Sequence, residues 1–124
     1  MWPFRERRSR RRYAVRYEGF LRCMFADANE TVPVNITDIS ADGVRLILER
    51  LQFGPYHLLI GEELPRCELT IQLPEGSITS RVLFHWYKHH TEGHFFEAGV
   101  SFVDMTRESR TVLSRIIRQL SGFP

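Results

Sequence analysis

From Val15 onward the chain alternates apolar and polar side chains with a period of two, the signature of a half-buried strand. Val15, Tyr17, Leu21, Cys23 and Phe25 fall on one side, and Arg16, Glu18, Arg22 and Met24 on the other. Phe20 breaks the pattern beside Gly19, which predicts a bulge or a crossing point in the strand. Asp27-Ala28-Asn29-Glu30 has turn composition. Val32, Val34 and Ile36 then alternate with Thr31, Pro33, Asn35 and Thr37. This is a hairpin partner, and Pro33 requires an edge or a non-bonded side.

Asp38-Ile39-Ser40-Ala41-Asp42-Gly43 interrupts the alternation as a tight polar turn ending in glycine. Val44, Leu46 and Leu48 resume it, with Arg45 and Ile47 facing the other way. Residues 49–63 are the least regular and longer than the connection expected there. Gln52-Phe53-Gly54-Pro55-Tyr56 reads as a loop or turn, and residues 57–60 as either a short strand or a helical turn. Cys67, Leu69, Ile71 and Leu73 alternate with Arg66, Glu68, Thr70 and Gln72, and Pro74-Glu75-Gly76 closes a hairpin. Ile78, Val82, Phe84 and Trp86 continue on the returning strand. Residues 88–93 read as a polar loop, and residues 95–103 as a last strand with Ala98, Val100 and Phe102 inward.

The end of the chain changes period. Val112, Leu113, Ile116, Ile117 and Leu120 form a helical stripe, with Arg107, Arg110, Arg115 and Arg118 on other faces. Thr106 suits the N-cap, Glu108 the first turn, and Gly122 the stop. The pattern predicts an all-β fold: a small antiparallel barrel of about six or seven strands with a C-terminal α-helix covering an open end or a face. A chain of 124 residues is expected to be one domain. It divides into an Arg-rich N-terminal arm (1–16), the barrel (17–104) and the helix (105–124).

Charge sharpens that division. Residues 1–16 hold seven arginines against Glu6, a net +6, whereas residues 17–124 hold ten basic and fourteen acidic residues, a net −4; together they give +2. A mobile cationic arm on a mildly acidic body predicts an anionic partner. Sixteen of the seventeen basic residues are Arg, Lys88 being the only Lys. The planar guanidinium suits phosphate and guanine edges by bidentate bonding. Cys23 and Cys67 are too few for a disulfide scaffold and read as reduced core thiols. No apolar run nears the roughly 20 residues of a membrane helix, and no secretory signal is visible, so the cytoplasm is the expected location.

Two motifs stand out together: Arg12-x-x-x-Arg16, preceded by Arg11, at the entry of the first strand, and Asp38-x-Ser40-x-x-Gly43 between two later strands. In that order, on an all-β pattern that ends in a helix, they resemble the PilZ domain, the bacterial receptor module for cyclic di-GMP. The resemblance runs from about Arg8 to the terminal helix. Gly99-Val100-Ser101-Phe102 is similar to the family's segment before its closing helix. The resemblance implies a cyclic di-GMP receptor with no catalytic step and no cofactor or metal. Its ligand residues would be Arg11, Arg12, Arg16, Asp38, Ser40 and Gly43. Arg45, two residues past Gly43, either reaches the ligand or solvates the sheet. The family's arm is mobile without ligand and folds over it when bound. Binding of one ligand or of an intercalated pair stays open, and Arg11 favours the pair by resemblance.

The ligand's chemistry fits these residues. Guanine O6 and N7 accept from a bidentate Arg, its face takes a guanidinium stack, and phosphates take the remaining arginines. Guanine N1–H and N2–H need an acceptor such as Asp38. Ser40 either bonds a phosphate or fixes the turn, and Gly43 lets the backbone turn where a side chain would intrude. Arg5, Arg7, Arg8 and Arg10 are left to electrostatic steering. Two other classes fit the same features: a PilZ-fold interaction protein of motility or pilus machinery that needs no nucleotide, and a nucleic-acid or lipid polyanion binder acting through the arm. No sequence-specific nucleic-acid reading is expected. The downstream protein partner is unknown, and the chain is expected to be a monomer or weak homodimer. His85, His89, His90 and His94 read as surface histidines, since no Cys or carboxylate sits at metal-ligand spacing beside them.

Overall fold

The computed structural model describes residues 11–62 and 64–122. The expectations for Arg5, Arg7, Arg8 and Arg10, and for the mobility of the arm before Arg11, lie outside the described residues. Eight strands precede one helix among those described: β1 (Tyr13–Met24), β2 (Asn29–Ile39), β3 (Gly43–Leu48), β4 (Gln52–Phe53), β5 (Tyr56–His57), β6 (Arg66–Leu73), β7 (Gly76–His90), β8 (Phe95–Met105) and α1 (Arg107–Leu120). Six strands close an antiparallel barrel in the order β1-β2-β3-β8-β7-β6, and β4-β5 form a separate two-stranded hairpin. Closure pairs each of the six strands on both sides along at least part of its length.

The period-two positions fill the interior. Leu21, Ile36, Leu46, Leu69, Ile71 and Ile78 are all buried in one cluster, each burial contributing about 1.5–3 kcal/mol. Pro33 pairs with Phe20 of β1, while β3 bonds β2 only from Asn35 onward. The missing proline N–H therefore falls on the side that has no strand partner.

Three local expectations are corrected. Phe20 causes no bulge: it points outward at an ordinary outward position, and inward Gly19 marks a close approach of β1 to β6. A Cβ there would stand 2.3 Å from the Thr70 carbonyl oxygen. The bulge in β1 lies between Ala14 and Tyr17 instead. Residues 88–90 are not loop, because β7 runs on to His90 and pairs Lys88 with Glu97 and His90 with Phe95. Polar composition misled there because both faces of that strand are wet. Trp86 does not continue the inward series of β7. A bulge between Phe84 and Trp86 absorbs His85 and turns the indole out, 40% exposed.

The two ends of the barrel are closed differently. Helix α1 follows β8 and lies at the end where β1 begins and β2 turns into β3. Thr106 Oγ1 accepts from Ser109 N at 3.1 Å as N-cap, and Ser109 Oγ accepts from Thr79 N of β7 at 3.0 Å. Leu113 and Ile116 are buried beneath the helix. Residues 49–62 cover the opposite end. Leu51, Phe53 and Leu58 are buried there, and Phe25 stacks on Tyr56 at 4.6 Å between ring centres. The long connection is thus a second plug, built by the β4-β5 hairpin. No described helix is long and apolar enough to cross a membrane.

Candidate functional site

Two irregularities in strand pairing build the site. Val15 and Arg16 of β1 together face Thr37 of β2, since Ala14 pairs with Asp38 and Tyr17 with Ile36. Thr37 is likewise skipped by β3, where Ile36 pairs with Leu46 and Asp38 with Arg45. On the inner face Ile36 is followed by Ile39, three residues on, so Asp38 is released to the outer wall. Strict alternation would have buried its carboxylate in the apolar core at prohibitive cost. Thr37 Oγ1 donates to the Arg45 carbonyl at 3.3 Å, holding the bulge shut.

The registers then line up one row across four strands: Asp38 opposite Arg45, Arg45 opposite Gly99, and Gly99 opposite Trp86. Arg12, just before β1, brings Nε to 3.6 Å from Asp38 Oδ1. Arg45 Nε lies 3.3 Å from Asp38 Oδ2, and its Nη1 reaches Glu97 Oε2 at 3.6 Å. Glu97 Oε1 is 3.1 Å from His90 Nε2. Asp38 is thus held between two guanidiniums, its side chain 15% exposed. Neither Asp38 Oδ1 nor Arg45 Nε has a hydrogen-bond partner among the described residues, although both are shut off from water. Charge attraction holds them without the directional bonds that buried polar atoms normally make.

Trp86 completes the row. Its indole lies over Gly99, where a Cβ would come within 2.2 Å of Nε1, and the Arg45 guanidinium stands 5.7 Å from its ring centre. Periodicity alone carries Trp86 on along the returning strand with Ile78, Val82 and Phe84. The available signal was Gly99, a glycine inside a strand between Ala98 and Val100, which marks the close approach of another group.

The turn is self-contained. Ser40 is 2% exposed. Its Oγ donates to the Gly43 carbonyl at 3.3 Å and accepts from Asp42 N at 3.2 Å and Gly43 N at 3.3 Å. Its hydroxyl is occupied in shaping the turn. Gly43 packs against β8, where a Cβ would meet the Val100 carbonyl oxygen at 2.1 Å, and Phe102 N bonds the Asp42 carbonyl at 2.7 Å. Ser40 and Gly43 therefore fix the path that presents Asp38. Arg11 and Arg16 are exposed. Arg16 borders a shallow hollow of about 340 Å³ with Asn35 and Thr37, on the same outer wall.

The histidines have other partners. His85 Nε2 is 2.7 Å from Ser101 Oγ, His89 stacks on Phe96, and His90 stacks on Phe95. The row sets a carboxylate, two guanidiniums and an aromatic face side by side on the outer wall. A recessed carboxylate accepts, guanidiniums bond and stack, and an indole face offers a further platform.

Residues 6–119 match the family profile described as the PilZ domain. In structure the chain is similar to the PilZ domain with c-di-GMP of YcgR from Escherichia coli, with TM-score 0.63 and 20% identity over 94% of this chain and 92% of that one. It is similar to the Bacillus subtilis inhibitor of motility MotI/DgrA, with TM-score 0.64 and 19% identity over 93% of this chain and 52% of that one. It is also similar to the K. pneumonia MrkH–c-di-GMP complex, with TM-score 0.65 and 16% identity over 91% and 52%. The chain thus spans about half the length of the last two. At such identities the likeness is one of fold. No curated protein sequence matches the chain.

Proposed function

The chain belongs to the PilZ domain family, and on that basis we propose that it is a receptor for cyclic di-GMP that passes the level of this second messenger to a protein partner. The observation that carries the reading is the Asp38 carboxylate, recessed in the outer wall between Arg12 and Arg45 with an oxygen that has no hydrogen bond among the described residues. Asp38 accepts from guanine N1–H and N2–H. It has lone pairs enough to keep one guanidinium while doing so.

Arg11, Arg12 and Arg16 clamp the phosphates and the Hoogsteen edges from the β1 side. Arg45 shares Asp38 and offers its plane to a base, and Trp86 adds a stacking face to the same row. Ser40 and Gly43 act by shaping the turn. Residues 1–16 serve as the arm and 17–104 as the receiving barrel, with 105–124 as its helical cover. Tyr13–Met24 pair within the wall, so the strand itself begins inside the RxxxR motif and anchors the arm where the ligand sits. The domain works in the cytoplasm, as a monomer or weak dimer, and performs no chemistry on its ligand. Titrating the nucleotide against a simple polyanion over a range of salt tests this. Specific recognition predicts saturable binding of cyclic di-GMP that survives raised salt. Equal preference for the polyanion, with binding lost steeply as salt rises, would mean that the arm is only a polycation.

A further inference from the structure

Helix α1 carries a second, unassigned feature. Arg107, Arg110, Ser114 and Arg118 follow at spacings of three, four and four, one stripe running about 16 Å along the helix. Arg115 flanks it. The stripe lies opposite the face that buries Ser109, Leu113 and Ile116. Four arginines stand against Glu108 alone in this helix. None of the four makes an ion pair among the described residues, whereas Arg12, Arg45 and Arg50 do. Beside the stripe lies an open groove of about 570 Å³. Its floor is apolar, from Tyr13, Ala41, Leu113 and Ile117, and its basic rim is Arg110 and Arg118. Tyr13 follows Arg12 directly, and Ala41 lies in the turn after Asp38. The groove therefore touches both halves of the site described above.

We propose that this groove and stripe dock an acidic amphipathic segment of a protein partner, apolar side chains entering the groove and carboxylates meeting Arg110, Arg118 and Arg107. Charge complementarity selects the occupant. The chain's own arm, with Arg5, Arg7, Arg8 and Arg10, has the same charge sign as the stripe and does not complement it. A concave apolar floor receives protruding side chains, whereas a lipid surface requires apolar groups that project from the protein. Among the described residues nucleic acid would find one aromatic in the groove, Tyr13, and no row of stacking faces. Docking stands independently of the nucleotide. Its coupling to cyclic di-GMP through Tyr13 and Ala41 rests on the function proposed above.

The test uses the full chain and a 15-residue helical peptide of Leu and Glu, with Leu on one face, alongside its Leu/Lys counterpart. Fluorescence anisotropy is expected to show saturable binding of the Glu peptide and none of the Lys peptide. The exposed double variant Arg110→Glu/Arg118→Glu is expected to weaken the Glu peptide by about tenfold or more and to gain the Lys peptide. Its cyclic di-GMP titration should stay unchanged. No binding of the Glu peptide, or binding indifferent to the charge reversal, would overturn the proposal. So would loss of cyclic di-GMP binding in the variant, which would assign the arginines to the nucleotide. Equal or tighter binding to phosphatidylglycerol vesicles or an oligonucleotide, or self-association abolished by the variant, would overturn it in favour of those occupants. A chain that binds the Glu peptide but not cyclic di-GMP would refute the receptor reading and leave the docking groove standing.

Discussion

Asp38 and Arg45 show what single residues contribute. Both lie on the outer wall, both are partly recessed, and each has a polar atom without a hydrogen bond among the described residues. Such atoms are costly unless a later partner satisfies them. Replacing Arg12 or Asp38 by Ala is expected to weaken cyclic di-GMP binding about tenfold or more, the scale of one charge-assisted bond. Lys88→Ala, on the exposed far end of β7, should leave it unchanged; calorimetry compares the three. Trp86→Ala should remove about 1–3 kcal/mol of stacking, and ligand should change the Trp86 emission, which a Trp2→Phe background isolates. Unaltered affinity and emission would remove the indole from the site. The Arg12–Asp38 pair and the turn at Ser40 and Gly43 were legible because charge and glycine spacing are written in the sequence. Trp86 was not, since its direction depends on a bulge that absorbs His85 and leaves no mark in the periodicity.

At the scale of elements, β2 and β3 show why the turn glycine is fixed. Gly43→Ala puts a methyl group into the β8 backbone at Val100, and is expected to cost about 1–3 kcal/mol in urea unfolding. A cost near zero would mean that β8 yields there. The strands β1 and β6 place Cys23 directly opposite Cys67, both thiols being buried and free. Hydrogen bonding to Cys67, then burial, pushes the Cys23 thiol far above its usual range. Both are expected to resist alkylation at mildly alkaline pH in the folded protein and to react once urea unfolds it. Rapid native labelling would show that this part of the wall opens. Most strands were legible because a closed barrel keeps one face dry throughout. The end of β7 was not, because His89 and His90 lie on a stretch that is wet on both sides. Residues 49–62 were obscure for a different reason. Their apolar side chains plug an end of the barrel without lying on any wall, so they follow neither period.

The whole molecule joins a cationic entry to an acidic body, and its two ends are plugged by unlike pieces. The β4-β5 hairpin closes one end, and α1 closes the end that carries the site. That asymmetry places the recessed Asp38 row, the start of β1 and the arginine stripe of α1 in one neighbourhood. Tyr17, near the same entry, reports on the stability of this end. Burial first, then the charge of Glu75, raises its pKa above the ordinary value of a phenol. A raised folded-state value stabilises the protein fully below the unfolded value, about 10, and the contribution is lost as pH rises through the folded one. Stability measured by urea unfolding should therefore decline above about pH 10, and Tyr17→Phe should flatten that decline. An unchanged profile would show that Tyr17 carries no such linkage. The most direct measurement for the account as a whole is isothermal titration of the full chain with cyclic di-GMP, run beside Asp38→Ala. The account predicts saturable heat with a stoichiometry of one or two ligands per chain, lost or greatly weakened in the variant. No heat at high micromolar ligand, or equal heat in both proteins, would contradict it.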